Sequence, residues 1–222
     1  MRFADVEGLA ADLLDSGDFG DFPNPWEIVT AFGARVVRGQ PGERAHPERR
    51  SGGGWDLVVD CTGREERIAT TAVHELAHLL LQSHGLPNDE PHAWRLTGAL
   101  ILPRSAYLRS LRQVFGAVDQ LVARYPLASH ELLARRAVEL FDARVLHVWD
   151  VEPHWRRNCV VSSGWRWRRD PTAIEFEAMQ CALEERAPVE PIGGVRAWPV
   201  IDGAHVRILC LSDGEVLMTQ VA

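Results

Sequence analysis

Three residues in the stretch "TTAVHELAHLLLQSHG" have the types and spacing needed for metal-dependent chemistry. His74 and His78 are four positions apart, and residues four apart on an α-helix lie on the same face, so the two imidazoles can bind one Zn²⁺. Glu75 is turned about 100° around the helix from His74, which leaves it to act as a general base toward water instead of as a ligand. The HExxH pattern therefore predicts a zinc site that could hydrolyse a peptide bond.

The alternative is that this segment is an ordinary packing helix that contains the pattern by chance. A core-facing stripe of apolar residues does recur at helical spacing, at Ala69, Ala72, Val73, Leu76 and Leu80. The stripe leaves His74 and His78 off the most apolar face of the helix. Two histidines that share another face beside a glutamate favour metal binding over a purely structural helix.

A catalytic zinc ion needs a third protein ligand and an open fourth position. Four downstream residues have suitable side chains, namely His84, Asp89, Glu90 and His92. His84 would still lie on the first helix, where it faces roughly away from the histidine pair. The "NDEPH" segment at the start of the next helix is better placed to fold back, which leaves its acidic residues and His92 as the candidates.

Two motifs follow each other closely here, "HELAHLLLQSHG" and "EPHAWRLTGALILP". Together they resemble the ImmA/IrrE family of zinc metallopeptidases, which pairs HExxH with a downstream helix of the form ExxAxxFAxxLLMP. When the two motifs are aligned on Pro103, Ala93 matches the family's alanine, and Leu96 takes the position of its phenylalanine. Leu102 takes the position of the family's methionine, and Glu90 matches the glutamate that serves as the family's third zinc ligand.

The resemblance, which covers residues 20–141, implies a cytoplasmic zinc metallo-endopeptidase. It implies that His74, His78 and Glu90 hold Zn²⁺. Glu75 would be the general base, and His92 is the alternative third ligand. The implied substrate is one regulatory protein, an HTH-type repressor, cleaved in phage, mobile-element or stress-response control. The rival hypothesis is a non-catalytic zinc-containing regulator that binds a partner protein or DNA.

The composition is that of an ordinary soluble globular protein, with 46% hydrophobic and 25% charged residues. No apolar run approaches the roughly 20 residues that a membrane span requires, so no membrane association is expected. The four cysteines lie far apart without a CxxC pair, which favours reduced thiols in the cytoplasm over a disulfide framework. A net charge of -7 makes DNA a less favoured partner than protein.

The order of helix and strand signals, together with the resemblance, predicts an α+β chain in three parts. Residues 1–103 would form a zincin-like peptidase lobe, in which Asn24 caps a short helix and the HExxH helix spans Glu65–His84. Residues 104–143 would form a helical, HTH-like segment. Residues 144–222, where short β-branched and aromatic stretches alternate with turn signals, would form a small α+β C-terminal domain of unknown role.

Two further segments have less specific signals. Residues 39–54 are rich in glycine, proline and arginine and lack large apolar side chains, which predicts a loop, either a lid beside the substrate or a tolerated insertion. The "GWRWRRD" segment interleaves aromatic and basic residues, as single-strand nucleic-acid binders do. We prefer a strand with inward tryptophans and solvated arginines, since alternation is also what a strand requires.

The stretch "LVARYPLASHELLARRAVELF" is similar to a helix-turn-helix, with residues 129–140 as its second helix. Because Glu131 and Glu139 accompany the arginines of that helix, packing or docking of a protein substrate is favoured over DNA reading. A peptidase also needs a group that stabilises the oxyanion of the transition state. The sequence offers Tyr107, Tyr125 and His130 for that role and does not choose among them.

Overall fold

The computed structural model describes residues 4–114, 117–141, 144–152, 156–161, 170–189, 193–203 and 205–213. These residues form helices and two small sheets, which confirms the predicted mixed α+β class. Their contacts group them into two compact units, the first comprising residues up to 113 with 122–129, and the second 114–121 with 130 onward. The three-part division stays a prediction. No helix in the described ranges is long and apolar enough to cross a membrane.

The first unit contains the two helices that carry the motifs. Its α-helices in the described ranges are α1 (Ala4–Ser16), α2 (Pro25–Ala31), α3 (Glu65–Ser83), α4 (Glu90–Ile101) and α5 (Arg104–Gln113). The predicted cap of α2 is confirmed, because Asn24 Oδ1 accepts a hydrogen bond of 2.9 Å from the backbone N–H of Trp26. α4 packs against both α1 and α3, so the HExxH helix and the second motif are neighbours in space.

The first unit also contains a three-stranded sheet in the order β1-β3-β2. Its strands are β1 (Ala34–Arg38), β2 (His46–Arg49) and β3 (Trp55–Val59). β1 runs parallel to β3, with Ala34 opposite Trp55. β2 runs antiparallel to β3, with His46 opposite Val58, and it lies at an edge of the sheet.

The strand β2 shows that the prediction of a loop throughout residues 39–54 is wrong. The backbone groups of β2 pair with β3, and this pairing holds the segment although its side chains are polar. An edge strand with solvated faces needs no apolar stripe, and it tolerates a proline such as Pro47. The strand therefore has no side-chain signature that a single sequence would reveal.

The rotation of α3 is determined by its buried face. The predicted apolar stripe is buried at every position, at Ala69, Ala72, Val73, Leu76 and Leu80. The helix packs against α2, β3 and α4, and it ends at Ser83, shortly before Gly85 adopts a left-handed conformation with φ of 66°. Burial of one face determines the direction in which His74 and His78 project from another.

The second unit combines α-helices with a four-stranded antiparallel sheet. Its described elements are α6 (His130–Leu140), β4 (Arg144–Glu152), β5 (Arg156–Val161), α7 (Ala173–Glu185), β6 (Val195–Asp202) and β7 (His205–Asp213). The strand order is β5-β4-β7-β6, and α7 packs against β6 and β7. The core between helix and sheet includes Trp149, Met179 and Ile208. The strands lie in the short β-branched and aromatic stretches that turn residues separate in this part of the sequence.

Glu175 joins the start of α7 to this sheet. Its carboxylate is completely buried and accepts hydrogen bonds from the Thr172 backbone N–H at 2.7 Å and from the Ser212 hydroxyl. His147 Nε2 lies 3.5 Å from the same carboxylate. Burial alone would raise the pKa of Glu175, but the donors from His147, Ser212 and Thr172 outweigh it and lower the pKa to about 2. The core of this unit therefore contains a stabilised negative charge.

The segment predicted to be HTH-like begins with α5 and ends with α6. The helix expected before Pro126 is a six-residue 3-10 helix, Val118–Ala123, because so short a segment forms few α-helical hydrogen bonds. The HTH-like character of this segment, and the preference for packing or substrate docking over DNA reading, stay predictions. The strand predicted for "GWRWRRD" lies, apart from Asp170, outside the described residues.

Candidate metal centre

Three of the sequence-predicted residues meet where α3 faces the beginning of α4. His74 and His78 come from α3, and Glu90 is the first residue of α4. Their potential ligand atoms all lie within 4.8 Å of one another. The Nε2 atom of His74 is 3.2 Å from one carboxylate oxygen of Glu90, and that of His78 is 3.8 Å from the other. This cluster of two imidazoles and one carboxylate could hold a metal ion.

The two imidazole rings of the cluster lie edge to face. Their centroids are 4.9 Å apart, and the ring planes are inclined by 82°. The side chain of His74 is only 9% exposed, whereas that of Glu90 is 56% exposed. The cluster is thus buried on the α3 side and open to solvent on the α4 side, where water or a substrate could approach.

The other ring nitrogens of both histidines also have polar neighbours. Asn88 Oδ1 lies 2.6 Å from Nδ1 of His78. Thr97 Oγ1 lies 3.4 Å from Nδ1 of His74 and donates its hydroxyl hydrogen to the backbone carbonyl of Ala93 at 2.7 Å. The Nε2 atoms of both rings are the ones that face Glu90, so each imidazole presents the same nitrogen to the cluster.

The cap of α4 places Glu90 in the cluster. Asp89 is the N-cap and accepts a hydrogen bond of 3.0 Å from the backbone N–H of His92, and Pro91 occupies the first turn. Glu90 therefore lies at the first helical position. The ring of His92 pairs with the Asp89 carboxylate at 2.5 Å, and His92 is outside the metal-capable group of the described residues.

Glu75 is the residue expected to act as the general base, and its surroundings raise its pKa. The side chain is partly buried, and burial is the main cause of a raised pKa. The negative charge of Glu90 raises the pKa further. The charges of His78, Arg44 and His46 act in the opposite direction. A carboxylate with a raised pKa has a greater affinity for a proton, as a general base in hydrolysis requires.

Arg44 is a neighbour of the cluster that the sequence did not single out. Its Nη2 atom is 3.8 Å from a carboxylate oxygen of Glu90. The turn before it is held by Asp60, which accepts hydrogen bonds from the backbone N–H groups of Gly42 and Thr62. A hydrogen bond from the Thr62 hydroxyl, together with those two backbone bonds, lowers the pKa of Asp60 to about 2. Arg44 lies in the segment expected to be a loop, so no spacing pattern pointed to it.

Trp94, Thr97 and Asn88 were also missed at the sequence level. The rings of Trp94 and His74 lie 4.4 Å apart at 33°, so the tryptophan covers one side of the imidazole. Thr97 is completely buried in α4, and a polar residue within an otherwise apolar stretch of helix was the available signal. Asn88 belongs to the "NDEPH" segment that the sequence did mark as able to fold back.

The other candidate residues each belong to a described element or the residues next to it. Tyr107 and Tyr125 are buried with their rings 6.2 Å apart, and the hydroxyl of Tyr125 pairs with that of Ser110 at 3.1 Å. These contacts occupy both tyrosines in the core of the first unit. His130 begins α6 in the second unit, and His84 is the exposed residue that follows α3.

No protein-family model matches the chain, and no curated protein matches it significantly. The fold and the site therefore define the class by themselves. The chain is a mixed α+β protein with a candidate metal centre formed by His74, His78 and Glu90.

Proposed function

We propose that the protein is a zinc-dependent endopeptidase, as the HExxH pattern predicts. The observation that carries the proposal is the convergence of His74, His78 and Glu90, whose ligand atoms lie within 4.8 Å of one another. Catalytic zinc sites use three protein ligands and keep one position open, and the exposed side of this cluster provides that position. Imidazole donors favour zinc and neighbouring transition metals over Mg²⁺ and Ca²⁺, which bind mainly oxygen.

Bound Zn²⁺ would supply Lewis acidity, lowering the pKa of water and polarising the scissile carbonyl. Glu75 removes a proton from the attacking water, whose oxygen forms the new bond to the carbonyl carbon. Glu75 then passes that proton to the nitrogen of the leaving amine as the C–N bond breaks. The partly buried position and raised pKa of Glu75 support this role.

The first unit also offers a surface on which an extended peptide could bind. β2 is an edge strand, so the backbone groups on its outer side are available for pairing with another strand. It packs against α3, and Arg44, two residues before it, lies 3.8 Å from Glu90. A substrate segment paired with β2 would therefore run close to the end of the cluster that Glu90 supplies.

The resemblance to the ImmA/IrrE metallopeptidases supports a specific substrate. We propose cleavage of an HTH-type repressor in the cytoplasm, within phage, mobile-element or stress-response control. We also propose that residues 1–103 form a zincin-like lobe and that residues 104–143 form an HTH-like extension. A repressor encoded next to this gene is the first substrate to test.

Metal analysis of the purified protein tests whether the zinc site exists, and the rest of the proposal depends on that site. We expect one zinc ion per chain in the wild type and none in the double variant His74→Ala/His78→Ala. A wild type without zinc, or a double variant with a full complement, contradicts the site. A zinc-loaded protein that cuts no neighbouring repressor would favour the non-catalytic regulator, and salt-sensitive DNA binding would favour it further.

A further inference from the structure

We propose that Asn88 is a positioning residue that holds the His78 ring in the tautomer needed for metal binding. We further propose that its neutral amide tunes the metal affinity of the site. This inference rests on the metal centre of the proposed function, but it does not depend on peptide cleavage. It assigns a role to a residue outside both the HExxH pattern and the metal-capable cluster.

The contact between Asn88 and His78 joins the two elements that supply the ligands. Asn88 Oδ1 is 2.6 Å from His78 Nδ1, which is the distance of a strong hydrogen bond. Asn88 lies in the connection between α3 and α4, immediately before the cap residue Asp89. The same short segment therefore orients one ligand, His78, and supplies another, Glu90.

The chemistry of the amide determines which nitrogen of the ring can bind a metal. An amide oxygen only accepts hydrogen bonds, so the hydrogen between the two groups must belong to His78 Nδ1. A neutral imidazole has a single N–H, and the lone pair is then left on Nε2. That nitrogen is the one that lies 3.8 Å from Glu90, on the cluster side of the ring. Asn88 therefore selects the metal-binding tautomer before any ion arrives.

The other histidine is held differently. Its Nε2 atom is 3.2 Å from a Glu90 carboxylate oxygen, and because a carboxylate only accepts, the hydrogen bond there is donated by His74. Its Nδ1 atom has a longer contact, 3.4 Å, with the Thr97 hydroxyl. The shorter and more exposed contact at Asn88 is the better one to test, because Thr97 is completely buried.

The neutral character of Asn88 has a consequence for affinity. A carboxylate in the same place would make His78 a more basic ligand and would strengthen metal binding. An amide provides orientation without adding a further negative charge beside Glu90 and Asp89. Asn88→Asp should therefore bind metal at least as tightly as the wild type. Asn88→Ala, which removes the acceptor, should bind about 10–100-fold more weakly.

The first measurement is the zinc affinity of full-length variants by competition with a chromophoric chelator at constant pH. We compare the wild type, Asn88→Ala and Asn88→Asp with Asn24→Ala, which makes the same substitution at the cap of α2. Asn24→Ala should lower the melting temperature and leave the affinity unchanged. Wild-type affinity in Asn88→Ala, or an Asn88→Asp variant as weak as Asn88→Ala, would overturn the proposal.

The second measurement needs no metal. Nitrogen-15 NMR of the zinc-free protein reports which ring nitrogen of His78 carries the hydrogen. We expect the Nδ1–H tautomer in the wild type and a loss of that preference in Asn88→Ala. A wild type with the Nε2–H tautomer overturns the role of Asn88, even if the protein binds zinc and cleaves its substrate. The reverse result, the expected tautomer without any cleavage, overturns only the endopeptidase.

Discussion

The Nε2 atom of His74 lies 3.2 Å from a carboxylate oxygen of Glu90, although sixteen positions separate the two residues in the chain. The contact exists because α3 and α4 pack against each other and because Asp89 starts α4 at Glu90. It brings a carboxylate to two imidazoles that would otherwise form an incomplete site. The affinity of the site for metal should therefore depend on Glu90 as much as on the histidines.

The first prediction separates Glu90 from His92 as the third ligand. Glu90→Ala should lower zinc affinity at least 10-fold, since a three-ligand site is reduced to two. His92→Ala should leave zinc affinity near the wild-type value, because the ring of His92 pairs with Asp89. Competition with a chromophoric chelator measures the zinc affinity of both variants. A strong loss in His92→Ala with none in Glu90→Ala would show that the ligand assignment is reversed.

The second prediction concerns the general base. Glu75→Gln keeps the size of the side chain but cannot accept the proton, so cleavage of the target repressor should fall about 10²–10⁴-fold. Zinc content and melting temperature should stay close to the wild type. The matched control is Glu27→Gln, an exposed position on α2, which should cleave normally. Undiminished cleavage by Glu75→Gln would remove this residue from the mechanism.

The third prediction tests whether the cap of α4 positions the ligand. Asp89→Ala removes the side chain that accepts from the His92 backbone, which should lower the melting temperature. It should also weaken zinc binding, because Glu90 is the next residue. Asn24→Ala removes the cap of α2 with a similar effect on the melting temperature and should not change zinc binding. Equal zinc affinities in the two variants would mean that the cap contributes only stability.

The fourth prediction is a pH dependence of stability in the second unit. The pKa of Glu175 is lowered from 4.5 to about 2 in the folded protein, so its ionised form stabilises the fold above pH 4.5. That contribution, of roughly 3 kcal/mol, should be lost as the pH falls from 4.5 toward 2. Stability is lost toward acid pH, and over this pH range, because the pKa of Glu175 is lower in the folded state than in the unfolded state.

Chemical unfolding of the wild type and Glu175→Gln between pH 7 and pH 3 measures this contribution. The difference in unfolding free energy should be largest near neutral pH and should shrink as the solution becomes acidic. Glu177→Gln, at an exposed position of the same helix, should show no such difference. A difference that is constant with pH would argue against a stabilised charge at Glu175.

The central part of the candidate site was predictable from the sequence because it is local. His74, Glu75 and His78 lie within five consecutive residues, and the period of one helix determines their relative directions. The cap at Asn24 and the buried stripe of α3 were predictable for the same reason. Each depends on neighbours within two turns of a helix.

The parts that sequence reasoning missed depend on contacts between elements. β2 forms because its backbone pairs with β3. Its polar side chains lack the alternation of apolar and polar residues that would predict a strand. Arg44, two residues before this strand, lies 3.8 Å from Glu90 although 46 positions separate the two residues in the chain. Trp94 and Thr97 contact His74 because α4 packs on α3, and neither residue belongs to a spacing pattern that names a ligand.

By itself, the sequence determined the mixed α+β composition, the HExxH helix and the two histidines on one of its faces. Helical periodicity and capping carry that information within short segments. Only the tertiary structure decided that Glu90 comes to lie beside the histidines, whereas the pairing of His92 with Asp89 is local to the first turn of α4. That choice depends on how α4 is started and buried against α3, and burial involves side chains from both helices that no local pattern relates to each other.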